Sequence, residues 1–382
     1  MGSRTTGRLA PFARLTKLTL TLALTGSMTA MGSVSAQDTS ELTGNKPAGG
    51  ETFYISDIQF LNGTTGRAAG NGYMIGTSDA GDHWQNIYTG TWQFTQLDFI
   101  NNKVCYALAK SSIDGPNALL HTDDGGKSLT KIKTGDMYLQ RIDFTKEDEG
   151  FGYSQAYTYH TYDGGSSWSK IATPTNTRYA VFTDAKKGYA LTVHPGYGYK
   201  LHQTTNGGTD WKVRLSVSSE TVSGGEIAVN GQEVWVRLNG GAGMSQQSYA
   251  VYASSNAGQS FVKVIGQDTA GAGPGPGDEP GYTDAGPAAP AGHPGNLSLV
   301  TGAAYLAGFS PAGEKIGMGS SSDGGKTWKN LPSIQGYESD ISFTERNKGW
   351  MADTSLMHPA IYRTGDGGHS WTEVLVLEQP NE

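Results

Sequence analysis

An eight-residue phrase returns seven times along this chain. Its four fixed positions are Thr77, Asp79, Gly81 and Trp84 in the first copy, then Thr122, Asp124, Gly126 and Leu129, then Thr161, Asp163, Gly165 and Trp168. The later copies carry Thr204, Asn206, Gly208 and Trp211; Ser254, Asn256, Gly258 and Phe261; Ser321, Asp323, Gly325 and Trp328; and Thr364, Asp366, Gly368 and Trp371. The pattern is Ser/Thr, Asp/Asn, Gly, aromatic, broken only at Leu129. Successive Asp or Asn positions lie 45, 39, 43, 50, 67 and 43 residues apart. That period, in a chain with no long amphipathic helix and 55 glycines among 382 residues, fits one four-stranded antiparallel unit per copy. The expected fold is all-β, a seven-bladed propeller.

Each copy is turn chemistry. A short carboxylate or amide accepts from backbone N–H groups ahead of it, glycine supplies positive φ, and the aromatic opens the next strand. Asp123, Asp124 and Gly125 imitate the start of a calcium loop, but the ligand ladder and closing Glu of an EF-hand are missing. Asp79, Asp124, Asp163, Asn206, Asn256, Asp323 and Asp366 are therefore read as structural, and no metal or cofactor is expected.

The phrase resembles the BNR or Asp-box repeat over essentially the whole chain beyond its N-terminus. That resemblance implies that each box joins the third and fourth strands of a blade, on a rim away from the working face. A second column sharpens it. Phe60, Phe99, Phe144, Phe182 and Phe343 each end a strand, and after a polar turn comes a small-residue strand containing Ala69, Ala107, Tyr153, Ala190 or Ala352. Four of those strands open on Gly66, Gly150, Gly188 and Gly349. This phrase resembles photosystem II stability and assembly factor-like propellers, which implies the fold and no known catalysis. The fifth and sixth units depart from it, around Glu226 and Leu297.

Residues 1–36 read as an export signal: Arg4, Arg8, Arg14 and Lys17 precede an apolar stretch and the small-residue site at Val34 and Ala36. Gln37 to Gly50 follow as a flexible lead, and residues 51–382 as one propeller. Removing the signal's four cations leaves 24 basic against 35 acidic residues, a net charge of −11. Such a chain is a poor partner for nucleic acid. The interrupted apolar stretch is too weak to span a membrane. Cys105 is the only cysteine, so no internal disulfide forms; its alternation with apolar neighbours places it in the core. Residues 266–296, rich in Gly, Pro and Ala, read as an inserted loop.

In a propeller the loops at one end of every blade converge on the channel mouth. The column three residues before each repeated Phe points there: Asp57, Gln96, Arg141, Tyr179, Gly225 and Asp340. Neighbouring loops add Trp92, Tyr138, Arg178, Tyr197, Tyr199, Gln246, Tyr282, Tyr337, Glu338 and His358. Trp92, Arg141, Arg178, Tyr179 and Asp340 form the expected ligand-binding set. His194 and His202 lack metal-ligand spacing and read as surface residues.

Sialidases share the box. That resemblance implies an arginine triad, a Tyr–Glu nucleophile and an Asp acid. The chain has only seven arginines beyond the signal, and the sialidase Arg-Ile-Pro phrase is absent. Xyloglucanase-like hydrolases use two propellers where this chain has one. If the chain is an enzyme, Asp57 and Asp340 are the acid–base pair, with Arg141 and Tyr179 beside them. The preferred expectation is an exported, monomeric, non-catalytic propeller, secreted, periplasmic or envelope-bound. It would bind a protein or cell-surface glycan, with a secreted glycoside hydrolase as the alternative.

Overall fold

The computed structural model describes residues 53–243, 245–278 and 292–378. The signal, the lead and Tyr282 lie outside the described residues. What is described is all-β apart from one 3₁₀ turn at Pro311–Gly313. The strands form a β-propeller of antiparallel sheets in chain order.

The sequence predicts seven separate four-stranded sheets, and the hydrogen bonding gives six. The first sheet has six strands, Ile55–Phe60, Gly66–Thr77, Gln85–Phe99, Cys105–Lys110, Ala118–Thr122 and Thr130–Ile132. Gln85–Phe99 runs straight through Gly90, between the first copy of the phrase and the second. The first half of that strand pairs back onto Gly66–Thr77 and the second onto Cys105–Lys110, with Gln93 opposite both Asn71 and Lys110. Four sheets carry four strands each. The remaining one, which opens with His293–Val300, adds the short Ile334–Gln335. Residues 266–267 close Val262–Gln267 and 293–296 open His293–Val300, so any excursion is confined to the residues between. Residues 268–278 are held to the sheets: Asp278 pairs with Lys263, and Gly277 N donates to Ser218 O at 2.8 Å.

All seven copies of the repeated phrase fold into the same turn. In the third, Thr161 Oγ1 donates to Asp163 Oδ1 at 2.8 Å and accepts from Gly165 N at 2.9 Å. Asp163 accepts from Ser167 N at 2.8 Å and Ser167 Oγ at 2.6 Å. The residue before the fixed glycine is left-handed in every copy, which explains why it is Gly five times; Ala80 (φ 67°) and Ala257 (φ 56°) are the exceptions. With two or more hydrogen bonds per carboxylate, Asp323 and Asp366 are held down to about 2, by Thr327 and Ser370 hydroxyls first.

The second column has an equally local cause. A Cβ on Gly66, Gly150, Gly188 or Gly349 would meet the ring of Phe60, Phe144, Phe182 or Phe343 at 2.3–2.6 Å. Each glycine lets the phenylalanine lie flat on its own sheet. An aromatic from the neighbouring unit then covers it: Tyr106 on Phe144 (3.5 Å), Phe151 on Phe182 (5.0 Å) and Tyr305 on Phe343 (3.8 Å). Trp350 of the last sheet stacks on Phe60 of the first at 3.5 Å. With Trp350 Nε1 donating to Ala80 O and Arg363 paired to Asp82 at 2.8 Å, this closes the ring through side chains. Among the described residues neither terminal sheet lends the other a strand. Cys105 is buried in the core, as expected.

Candidate functional site

Antiparallel order puts the repeated turns at one end of the strands. The links from second to third strand, and from sheet to sheet, lie at the other. This second face carries Ile113, Tyr138, Tyr157, Tyr197, Leu356 and Met357, all at least half exposed, with Tyr197 at 82 %. Large apolar side chains in that position are costly to leave in water.

The polar members of the predicted inner column join neighbouring inner strands. Asp57 Oδ2 accepts from Leu97 N at 2.6 Å. Gln96 accepts from Ile142 N at 2.9 Å and donates to Ile142 O at 2.7 Å. Arg141 Nη2 donates to Ala180 O, and its guanidinium lies between the rings of Tyr153 (3.9 Å) and Tyr179 (4.3 Å). Asp340 accepts from Ile58 N. In the two units that lack the phenylalanine, the position belongs to Glu226, bonded to Leu297 N at 3.2 Å, and to Asn296, paired both ways with Ile341 at 2.9 Å. The repeat spacing points instead to Gly225 and passes over Asn296. Without a phenylalanine to count from, the register could be found only from strand pairing.

Two cavities open on this face and share Tyr179 as a wall. The larger, about 670 Å³ at the channel mouth, is walled by Tyr54, Glu226, Arg237, Phe309, Glu338 and Asp340 among others. Arg237 reaches Glu226 at 3.5 Å and donates to Pro294 O and Gly295 O. Asp353, fully buried, accepts from the N–H groups of Tyr337, Glu338 and Ser355, and so fixes the loop that presents Glu338. Burial raises the Asp340 carboxyl well above the ordinary range, helped by Asp57 and Glu226. Burial also raises Glu226 against the pull of Arg237.

The smaller cavity, about 180 Å³, is a groove lined by Gln140, Arg141, Tyr153, Tyr157, Arg178 and Tyr179 among others. Arg178 is exposed there and bonds only weakly to its neighbour Thr177 O, at 3.4 Å. Lys170 sits 3.7 Å over Tyr157. The structure therefore gathers Arg141, Arg178 and Tyr179 into one groove and sets Asp340 across Tyr179 from it. Trp92 stands apart, packed against the core beside Phe94. Tyr199, expected at the mouth, is buried, its hydroxyl bonded to Asn239 O and Ser223 N. His194 and His202 converge on the hydroxyl of Thr192 at 3.0 and 3.1 Å. Among the described residues no group of three potential ligands could hold a metal, and no helix is long and apolar enough to cross a membrane.

No protein-family model matches the chain. It is 25 % identical over 233 residues to the photosystem II assembly lipoprotein Ycf48 of Synechococcus sp. (strain CC9902), covering 56 % of this chain and 67 % of that protein. A solved structure of YCF48 bound to D1 peptide superposes with a TM-score of 0.50 at 17 % identity, over 83 % of this chain and 90 % of that one. YCF48 from Cyanidioschyzon merolae gives 0.52 at 16 % identity, over 84 % and 96 %. The chain is thus related in sequence to Ycf48, the photosystem II assembly protein, and shares its β-propeller fold.

Proposed function

We propose that this chain is an exported, non-catalytic, monomeric propeller that binds a segment of a partner protein across its loop face, in the manner of an assembly factor. The observation that carries the reading is the concentration of exposed tyrosines and aliphatics on that one face, around a groove holding Arg178 and Tyr157. The relation to YCF48, a protein solved with a D1 peptide, supports a peptide over the glycan alternative. In this reading the six-stranded sheet counts as two blades and the repeated turns are Asp boxes. Seven separate core clusters, one for each junction of a seven-unit ring, support that count. Export rests on the sequence of residues 1–36 alone.

Selection from a displayed library of random dodecapeptides tests the reading. Enriched peptides should bind at least tenfold more weakly to Arg178→Ala and Tyr157→Ala, with melting temperatures unchanged. Peptides indifferent to both variants, but lost on changing Lys326 and Thr327 of the opposite rim, would place the site on the wrong face.

One observation favours a second reading, a glycoside hydrolase: a carboxyl whose pKa burial raises, Asp340, with Asp57 and Glu226 close by at a cavity, is the pattern of a general acid. Turnover of fluorogenic sialosides or β-glucans, abolished by Asp340→Asn, would establish it; no turnover excludes it for those substrates.

A further inference from the structure

We propose that the channel-mouth cavity seats one cationic side chain, a lysine or arginine of the bound segment, while an acidic residue of the same segment lies against Arg178. This rests on the peptide reading above and adds a charge order to it. The two cavities meet at Tyr179, so a chain extended along the groove passes over that ring into the channel mouth. Their charges are opposite. The groove presents Arg178 and Arg141, with Lys170 over Tyr157 at its edge. The channel mouth presents Glu226, Glu338 and Asp340 against Arg237 alone.

Arg237 is already engaged by Glu226 and by two carbonyl oxygens, so it does not neutralise the other two acids. Among the described residues neither Glu338 nor Asp340 forms an ion pair. Asp340 stands close enough to Asp57 and Glu226 for their charges to oppose its ionisation, and a cation placed among them reverses that opposition. Tyr54, Phe309 and Tyr179 wall the same space, giving an aliphatic stem apolar surface and its charge an aromatic face. A bare metal ion fits less well, because among the described residues no three ligands converge. The occupant is therefore a charge on a long stem.

The test is a display selection of random dodecapeptides on the wild-type chain, repeated on Glu338→Gln and Asp340→Asn. The wild-type pool should enrich Lys or Arg at a fixed offset from an acidic residue. Both variants should lose the basic preference and keep the acidic one. For a peptide from the wild-type pool, lysine to norleucine should weaken binding about tenfold. The same exchange should cost little on Glu338→Gln, the coupling expected of a direct pair. Glu338 is exposed and bonded through its backbone, so its substitution leaves the fold intact even if Asp340→Asn does not. An enriched pool without basic bias, or a bias untouched by Glu338→Gln, overturns the cation seat and leaves the peptide reading standing. A library that yields no binder overturns both.

Discussion

Ala257 is the residue that departs most plainly from what its turn requires. It sits at φ 56° where five of the seven copies place glycine, and a side chain in the left-handed region costs roughly 1–2 kcal/mol. Glycine would relieve that strain at the expense of a more flexible unfolded chain. Ala257→Gly should therefore raise unfolding free energy by about 0.5–1 kcal/mol, read from urea denaturation. Ala80→Gly should gain less, because the Ala80 methyl packs against the core that joins the last sheet to the first. A loss at Ala257 would show that its methyl makes an undetected contact. The seven turns were legible in the sequence because each is built from eight consecutive residues, so the pattern is complete locally. Glu226 and Asn296 were not, since a residue's place in the channel depends on pairing across sheets.

At the scale of the strand, the pairing of phenylalanine and glycine across one hairpin sets how closely the sheets stack. Gly349 has ordinary φ, so alanine strains no backbone, but its Cβ would lie 2.4 Å from the Phe343 ring. That ring is clasped between Tyr305 and Trp371 and has nowhere to retreat. Gly349→Ala should cost about 1–3 kcal/mol as overpacking. Gly365→Ala, with open space around it, should be close to neutral. Equal effects at both positions, compared by thermal unfolding, would refute the packing argument. Here too the sequence was informative only in part. Phenylalanine and glycine recur together in four hairpins, but nothing in the residues around Gly90 shows that the first two units share a strand. Gly90 carries no positive φ, and the strand from Gln85 to Phe99 continues across it, pairing first with Gly66–Thr77 and then with Cys105–Lys110.

Across the whole molecule, two populations of carboxylates oppose one another as pH changes. Asp323 and Asp366, drawn down to about 2 by their turns, contribute stability above the unfolded value of about 4. That contribution is lost as pH falls toward 2. Asp340 and Glu226, raised by burial, act with the opposite sign: their contribution is full in acid and fades as pH rises through their elevated values. Unfolding midpoints should thus rise as pH is lowered from 7 toward 5, then fall below about 4. Asp340→Asn should flatten the first limb and leave the second. A profile falling steadily from pH 7 would contradict the burial of these two acids.

The closure of the ring has a consequence for the order in which the chain is made. Phe60 leaves the ribosome some 290 residues ahead of the indole that covers it, Trp350. Each intermediate sheet can dock on its predecessor as it emerges, whereas the first sheet keeps one apolar flank uncovered until the sheet that carries Trp350 has been made. Truncation within the last sheet should therefore leave a nascent chain that is folded along most of its length and adhesive at its beginning. Such a chain would be held by chaperones at its N-terminal flank, far from the missing residues.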